Sequence, residues 1–280
     1  MPSYDIHQHL WPPSLIEALQ SRHERPRLRR RTLELPTGDW EIDLTSHELG
    51  PRLAALDRDE IDVAVISCPP TLELDPDLVD SYHEGMLEVV AEADGRLRAF
   101  AYDAARDGFA GACVSALALD DLSALAPLLT ALEGRGELLF VHPGAALSPP
   151  DAPAWWPSIV SYTAQMQFAY AAWLARGAAD WPDLRVVFAI LAGGAPVQLE
   201  RLGSRGIETR AVLHENVYLD TASYGERALT LAFATYGVGQ IVYGSDWPVI
   251  DPEPTLRSVR GFGQAVTEAV CRANPARLLT

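Results

Sequence analysis

Two histidines one residue apart stand near the start of the chain, in Asp5-Ile6-His7-Gln8-His9. Alternate side chains of an extended strand point to the same side, so His7 and His9 face one point together. A second strand end of this kind lies in Leu138-Leu139-Phe140-Val141-His142-Pro143-Gly144, where an apolar run stops at a histidine and Pro-Gly turns the chain. A third, Ile241-Val242-Tyr243-Gly244-Ser245-Asp246-Trp247-Pro248, finishes on a carboxylate. Each has a plain structural explanation alone: a packed His-x-His strand, a lone capping histidine, an Asx turn ahead of Pro248. Together, His7, His9, His142 and Asp246 form a borderline-soft donor set for one divalent metal ion, Zn2+ first, with Mn2+ or Fe2+ as the other candidates. A water in a remaining coordination position would have its pKa lowered toward neutrality.

The donors work together only if their strands end at one mouth. Short apolar runs predict strands at Tyr4–Ile6, Val63–Cys68, Leu97–Tyr102, Ala112–Ser115, Leu138–Val141, Val186–Ile190, Val217–Asp220 and Ile241–Tyr243. Helical periodicity fills the gaps: Asp77–Ala93, Leu122–Glu133 with Gly134 as its stop, Ser161–Arg176, Gly225–Tyr236 and Gln264–Ala273. Strands alternating with helices predict an α/β protein, a (β/α)8 TIM barrel, whose sites sit at the C-terminal ends of the strands. An open doubly wound sheet would favour a glycine-rich loop after the first strand, where this chain has His-Gln-His. The expectation is a single domain over residues 1–280, with a small insertion after the first strand, about residues 12–50, as a subdomain or lid. The Pro- and Ala-rich segment Gly144–Trp156 reads as a long functional loop.

The formal net charge of −16 disfavours nucleic acid as a partner. Against it stands one basic run: Arg22, Arg25, Arg27, Arg29, Arg30 and Arg31. It reads as a solvated ribbon or as a clamp for an anionic substrate. Cys68, Cys113 and Cys271 are too scattered for a disulfide framework, which suits a reducing compartment. No signal peptide is expected in Met-Pro-Ser-Tyr-Asp-Ile-His, and no apolar run is long enough to span a bilayer, so the expectation is a cytoplasmic enzyme with no membrane partner. A Gly-x-Ser-x-Gly elbow and a Walker loop are both missing. Trp11 and Trp247, each after a ligand-bearing strand end, are candidate walls for a small-molecule substrate. Tyr162, Gln165 and Ser223 are candidate hydrogen-bonding groups. Tyr162 and Tyr170 also have spacing that suits packing. His47 and His83 are expected at the surface or in loops, His214 at the far end of the barrel, and Cys113 as buried filler.

The His-x-His strand, the Val-His-Pro-Gly end and the Tyr-Gly-Ser-Asp-Trp-Pro end resemble the amidohydrolase superfamily. More narrowly, the chain is similar to the amidohydrolase-2 branch, related to aminocarboxymuconate-semialdehyde decarboxylase. The resemblance runs from Tyr4 to Leu279 and includes Trp181-Pro182-Asp183-Leu184-Arg185-Val186 and Asn216-Val217-Tyr218-Leu219-Asp220-Thr221. It implies a distorted TIM barrel, one metal ion, and hydrolase or decarboxylase chemistry. It also implies a histidine at the end of strand six, where this chain carries Ile190 in Ile190-Leu191-Ala192-Gly193-Gly194-Ala195-Pro196. The resulting expectation is a metal-dependent hydrolase of a small carboxylated or cyclic substrate, with Asp246 as proton acceptor. Non-oxidative decarboxylation is the alternative. A third reading, a metal- or ligand-binding barrel without catalysis, follows from Ile190. A homodimer is compatible with the resemblance and with the aromatic Trp155–Trp181 stretch.

Overall fold

The computed structural model describes residues 1–209 and 213–280. Its strands are β1 (Tyr4–His9), β2 (Arg27–Arg29), β3 (Thr32–Leu35), β4 (Gly38–Glu41), β5 (Val63–Ser67), β6 (Leu97–Ala99), β7 (Ala101–Tyr102), β8 (Gly111–Ser115), β9 (Leu138–His142), β10 (Arg185–Phe188), β11 (Val217–Asp220) and β12 (Ile241–Val242). Parallel pairing runs β1-β5-β6 and β7-β8-β9-β10-β11-β12. β6 and β7 are halves of one strand broken at Phe100, whose N–H still reaches the Ile66 carbonyl at 2.8 Å. Ile6 N–H donates to Tyr243 O at 2.9 Å and His9 N–H to Trp247 O at 2.8 Å, which joins the last strand to the first. The result is the predicted (β/α)8 barrel.

Barrel strands are covered on both faces, which is why they read as near-continuous apolar runs. Ile6, Ile66, Phe140, Val187 and Leu219 are all buried. The alanine- and glycine-rich β8 packs little by itself, yet it pairs with β9 at every residue from Gly111↔Leu138 to Ser115↔His142. The outer layer includes helices Pro76–Glu92, Leu122–Arg135, Tyr162–Ala172 and Glu226–Tyr236. The second of these stops at Gly136, in the left-handed region, rather than at Gly134. No described helix is long and apolar enough to cross a membrane.

The insertion after β1 comprises helix Pro13–Ser21, the antiparallel ribbon β2-β3-β4, a short 3-10 turn Leu44–His47 and helix Leu49–Asp59. Leu28, Leu33 and Leu35 bury one face of the ribbon. Most arginines of the basic run bond within this subdomain, and Arg22 ties it to the start of helix Pro76–Glu92. Arg22 pairs with Asp75 at 2.6 Å, Arg25 with Asp39 at 2.9 Å and Arg27 with Glu34 at 2.7 Å. Arg29 donates to the Gln20 and Arg22 carbonyls.

β1 continues three residues past its predicted end, so both its histidines lie in the strand. β10 ends at Phe188, two residues short of its predicted end. From Ile190 to Gly194 the chain takes a run of positive φ angles, 47°, 48°, 49°, 65° and 86°. That left-handed turn cannot continue a strand.

Candidate metal centre

The mouth of the barrel collects His7 and His9 from β1, His142 from the end of β9 and Asp246 from the turn after β12. One ligand atom from each lies within 4.8 Å of all the others. His7 Nε2 is 3.2 Å from His9 Nε2, and Asp246 Oδ1 is 3.4 Å from the former and 3.0 Å from the latter. Asp246 adopts φ 63°, a conformation aspartate tolerates, and its N–H is held by the His7 carbonyl at 2.8 Å. Gly244 makes the approach possible: a Cβ there would lie 2.8 Å from His7 Cβ and 3.1 Å from Asp220 Cβ.

The other ring nitrogens decide what this cluster can do. His7 Nδ1 donates to Asp220 Oδ2 at 2.7 Å, His9 Nδ1 to the Ser67 carbonyl at 3.0 Å, and His142 Nδ1 to the Pro143 carbonyl at 2.9 Å. A neutral imidazole carries one proton, so all three Nε2 atoms are left as lone pairs. Lone pairs and a carboxylate crowded together in a buried site repel one another, and a divalent cation turns that repulsion into coordination. The donor set therefore fits a metal ion held by His7, His9, His142 and Asp246.

Without a metal ion, the nearby carboxylates favour a second proton on His7, which a bound cation would displace. Burial opposes protonation of His7, but the carboxylates of Asp220 and Asp246 outweigh it and bring the imidazole up to about 8. Burial also works on His9 and His142, with neighbouring imidazolium charge in the same direction; both are held below the ordinary histidine value, His142 well below. Asp246 is buried, which favours its neutral form, but the three histidines reverse this and keep it below the usual carboxylate range.

Sequence reasoning missed Asp220 as a site residue. Besides His7, it accepts Ile190 N–H at 2.8 Å and Ala222 N–H at 3.0 Å through Oδ1. The missed signal was the same as for Asp246: an apolar strand ending in aspartate. A second support lies behind β1. Asp5, pushed up to about 6 by burial despite hydrogen bonds from Ser245, Gln8 and His7, holds Gln8 Nε2 at 2.7 Å. Gln8 Oε1 in turn accepts from Arg52 at 2.6 Å, and Arg52 also donates to the His9 carbonyl at 2.6 Å.

A cavity of about 300 Å³ opens beside the ligands. Tyr162 and Ser223 line it, as do Ile159, Ile190, Tyr224 and Val249. Two other candidate substrate contacts, Trp11 and Trp247, border a second cavity that shares His9, Pro69 and Val249 with this one. Trp11 is buried and stacked on His47 at 4.4 Å. Trp247 has the Arg52 guanidinium 3.8 Å over its ring. Gln165 pins the loop after β9, accepting Gly144 N–H at 2.8 Å and donating to Ala145 O at 3.1 Å. None of the arginines from Arg22 to Arg31 lines the cavity beside the ligands. His47 and His83, expected at the surface or in loops, are buried: the first accepts Trp11 N–H at 3.0 Å, the second Tyr102 N–H at 2.9 Å. Cys113 is buried in β8, and Tyr170 packs on Phe188 and Tyr236.

Known proteins share this framework. 2-Amino-3-carboxymuconate-6-semialdehyde decarboxylase of Dictyostelium discoideum is 23% identical over 283 residues, covering 85% of this chain and 78% of its own length. The solved structure of IDCase from Metarhizium anisopliae matches with a TM-score of 0.82 at 24% identity, over 99% of this chain and 97% of that one. Dihydroxybenzoic acid decarboxylase from Polaromonas sp. JS666, solved with bound manganese and the inhibitor 2-nitroresorcinol, matches with a TM-score of 0.73 at 17% identity, over 99% and 96%. The family model described as amidohydrolase, Amidohydro_2, matches residues 4–280, and the chain belongs to that family.

Proposed function

We propose that this protein is a metal-dependent, non-oxidative decarboxylase of a small carboxylated substrate. The observation that carries this reading is the character of the cavity. Among the described residues, its titratable side chains beside His9, His142 and Asp246 are Tyr162 and Tyr224, and Pro69, Pro143, Ile159, Ile190, Val249 and Ile250 make up most of the rest. Hydrolysis, the first expectation from sequence, asks for a base to activate water and an acid for the leaving group. The position implied for one such group is the apolar Ile190. Loss of CO2 asks for less: a fixed carboxylate, a dry surrounding that favours dispersal of its charge, and one proton. The decarboxylases named among the relatives support the same choice.

A divalent ion in the cluster would supply Lewis-acid anchoring of the substrate and stabilise developing negative charge. The protein does the rest. Asp220 and the carbonyls of Ser67 and Pro143 hold the three imidazoles in the ligating tautomer. Pro143 and Ile190 present apolar surface beside the ligands. When the carbon–carboxyl bond breaks, its electron pair stays on the substrate carbon and CO2 departs. A proton relayed from solvent through the Asp246 carboxyl then fills the vacated position.

The test is a panel of hydroxylated aromatic and vinylogous acids, beside lactones and esters, given to protein loaded with Mn2+ or Zn2+. CO2 release with solvent deuterium at the vacated carbon is the expected result. Ester or lactone turnover without CO2 release from any acid would overturn the proposal in favour of a hydrolase.

A further inference from the structure

The chain contains no lysine; all 22 of its basic residues are arginine. Any cation offered to an anionic substrate group, apart from the metal, would therefore be a guanidinium or a histidine. Among the described residues, no arginine lines the cavity beside the ligands. The nearest in the network, Arg52, is fully buried behind β1, committed to Gln8, the His9 and Ser46 carbonyls and the Trp247 ring. Most of the basic run is occupied within the insertion, and the molecule as a whole carries −16. The neutral hydrogen-bonding groups that remain in the cavity are Thr71, Ser158, Tyr162, Thr163, Ser223 and Tyr224. Its volume of about 300 Å³ stands at the lower end for small-molecule sites, room for one ring.

We infer that this cavity selects substrates with a single carboxylate on an uncharged, one-ring body, and that Ile190 and Ile159 are the residues that impose this preference. The inference rests on the decarboxylase reading for the place of that carboxylate at the metal. A second carboxylate on the ring would leave water without meeting a cation. Buried charge without a partner is costly enough to weaken binding by about a hundredfold. Ile190 is the key position because its backbone is already anchored: its N–H is held by Asp220 at 2.8 Å, in the same shell that orients His7. The side chain that leaves this anchor lines the substrate space. Ile159, on the segment after the long loop, borders the same space and is 62% exposed.

The experiment is calorimetric binding of benzoate and isophthalate to Mn2+-loaded protein. Both lack the hydroxyl that would promote decarboxylation, and they differ by one carboxylate. Benzoate should bind, with isophthalate about a hundredfold weaker. Ile190→Arg should narrow that gap to about tenfold or less. Ile159→Arg should do the same, and its exposure protects the fold if the first variant is damaged. Equal affinities in the parent, binding of neither acid at millimolar concentration, or an unchanged ratio in a folded variant would overturn the inference. Selective binding of benzoate in a protein that releases CO2 from no acid would sink the decarboxylase reading and leave the cavity's preference standing. CO2 release from diacids as readily as from monoacids would do the reverse.

Discussion

Five of the seven histidines are buried, and they fall into two groups. His7, His9 and His142 each give their Nδ1 proton to a carboxylate or carbonyl oxygen, so a lone pair on Nε2 faces the others. His47 and His83 do the opposite: each spends a lone pair on a backbone N–H, Trp11 for one and Tyr102 for the other. Burial is the same in both groups. The partner of the ring decides whether a buried histidine becomes a ligand or a strut. An acceptor on one nitrogen frees the other to bind metal, while a donor uses up the lone pair within the fold.

The largest effect should come from deleting a member of the first group. His9→Ala is expected to take bound Mn2+ or Zn2+ from about one equivalent per chain to none, because three donors hold a divalent ion far more weakly than four. His83→Gln should keep the full equivalent and lose only stability. Elemental analysis of the two variants side by side breaks the comparison if both retain metal or both lose it.

A smaller effect tests the partner rather than the ring. Asp220 Oδ1 is held by the Ile190 and Ala222 N–H groups. In Asp220→Asn the amide oxygen takes that place, and the NH2 group is left facing His7 Nδ1. The proton then moves to Nε2, the atom the metal needs. Metal affinity should fall by about 10- to 100-fold, measured by chelator competition, with the fold intact by circular dichroism. Unchanged affinity would mean that the orientation of His7 does not depend on its carboxylate partner.

These roles were unevenly legible in the sequence. The ligands could be read because each stands where an apolar strand meets a turn, and a barrel brings such ends together. The strands of the barrel could be read because both their faces are buried. The ribbon β2-β3-β4 was not resolved into strands, since runs of three or four residues, with buried leucines in β2 and β3 and none in β4, carry little periodicity. The substrate wall was read from chain proximity, and Trp11 and Trp247 border a cavity that shares His9 with the one beside the ligands. Trp247 follows Asp246 in the turn where Asp246 takes φ 63°, and its ring lies under the Arg52 guanidinium. His83 looked like a surface residue because it lies beside the apolar stripe of its helix. The segment after β7 covers it: the ring stacks edge-on with Phe109 and accepts the Tyr102 N–H. Asp220 and His7 are 213 residues apart, a pairing that no local pattern encodes.

The smallest effect concerns pH and belongs to the second group. His83 Nε2 accepts the Tyr102 N–H at 2.9 Å, and the Arg106 guanidinium lies 2.8 Å from Nδ1. Burial and then the Arg106 charge bring it down to about 4. Its folded pKa thus lies below the unfolded value near 6.5, and the unfolded chain binds the extra proton between them. The stability tied to a neutral His83 is complete above about pH 6.5 and is lost as pH falls through about 4. Between pH 7 and pH 5 this amounts to about 1–2 kcal/mol. Glutamine can accept the Tyr102 N–H but does not titrate. His83→Gln should therefore be less stable than the parent at pH 7, with the gap shrinking by about that amount at pH 5. Urea unfolding of metal-stripped protein at the two pH values reads the difference, and the other histidines cancel between parent and variant. A gap of constant size would show that His83 is held by shape alone and that its ring nitrogens do not govern its protonation.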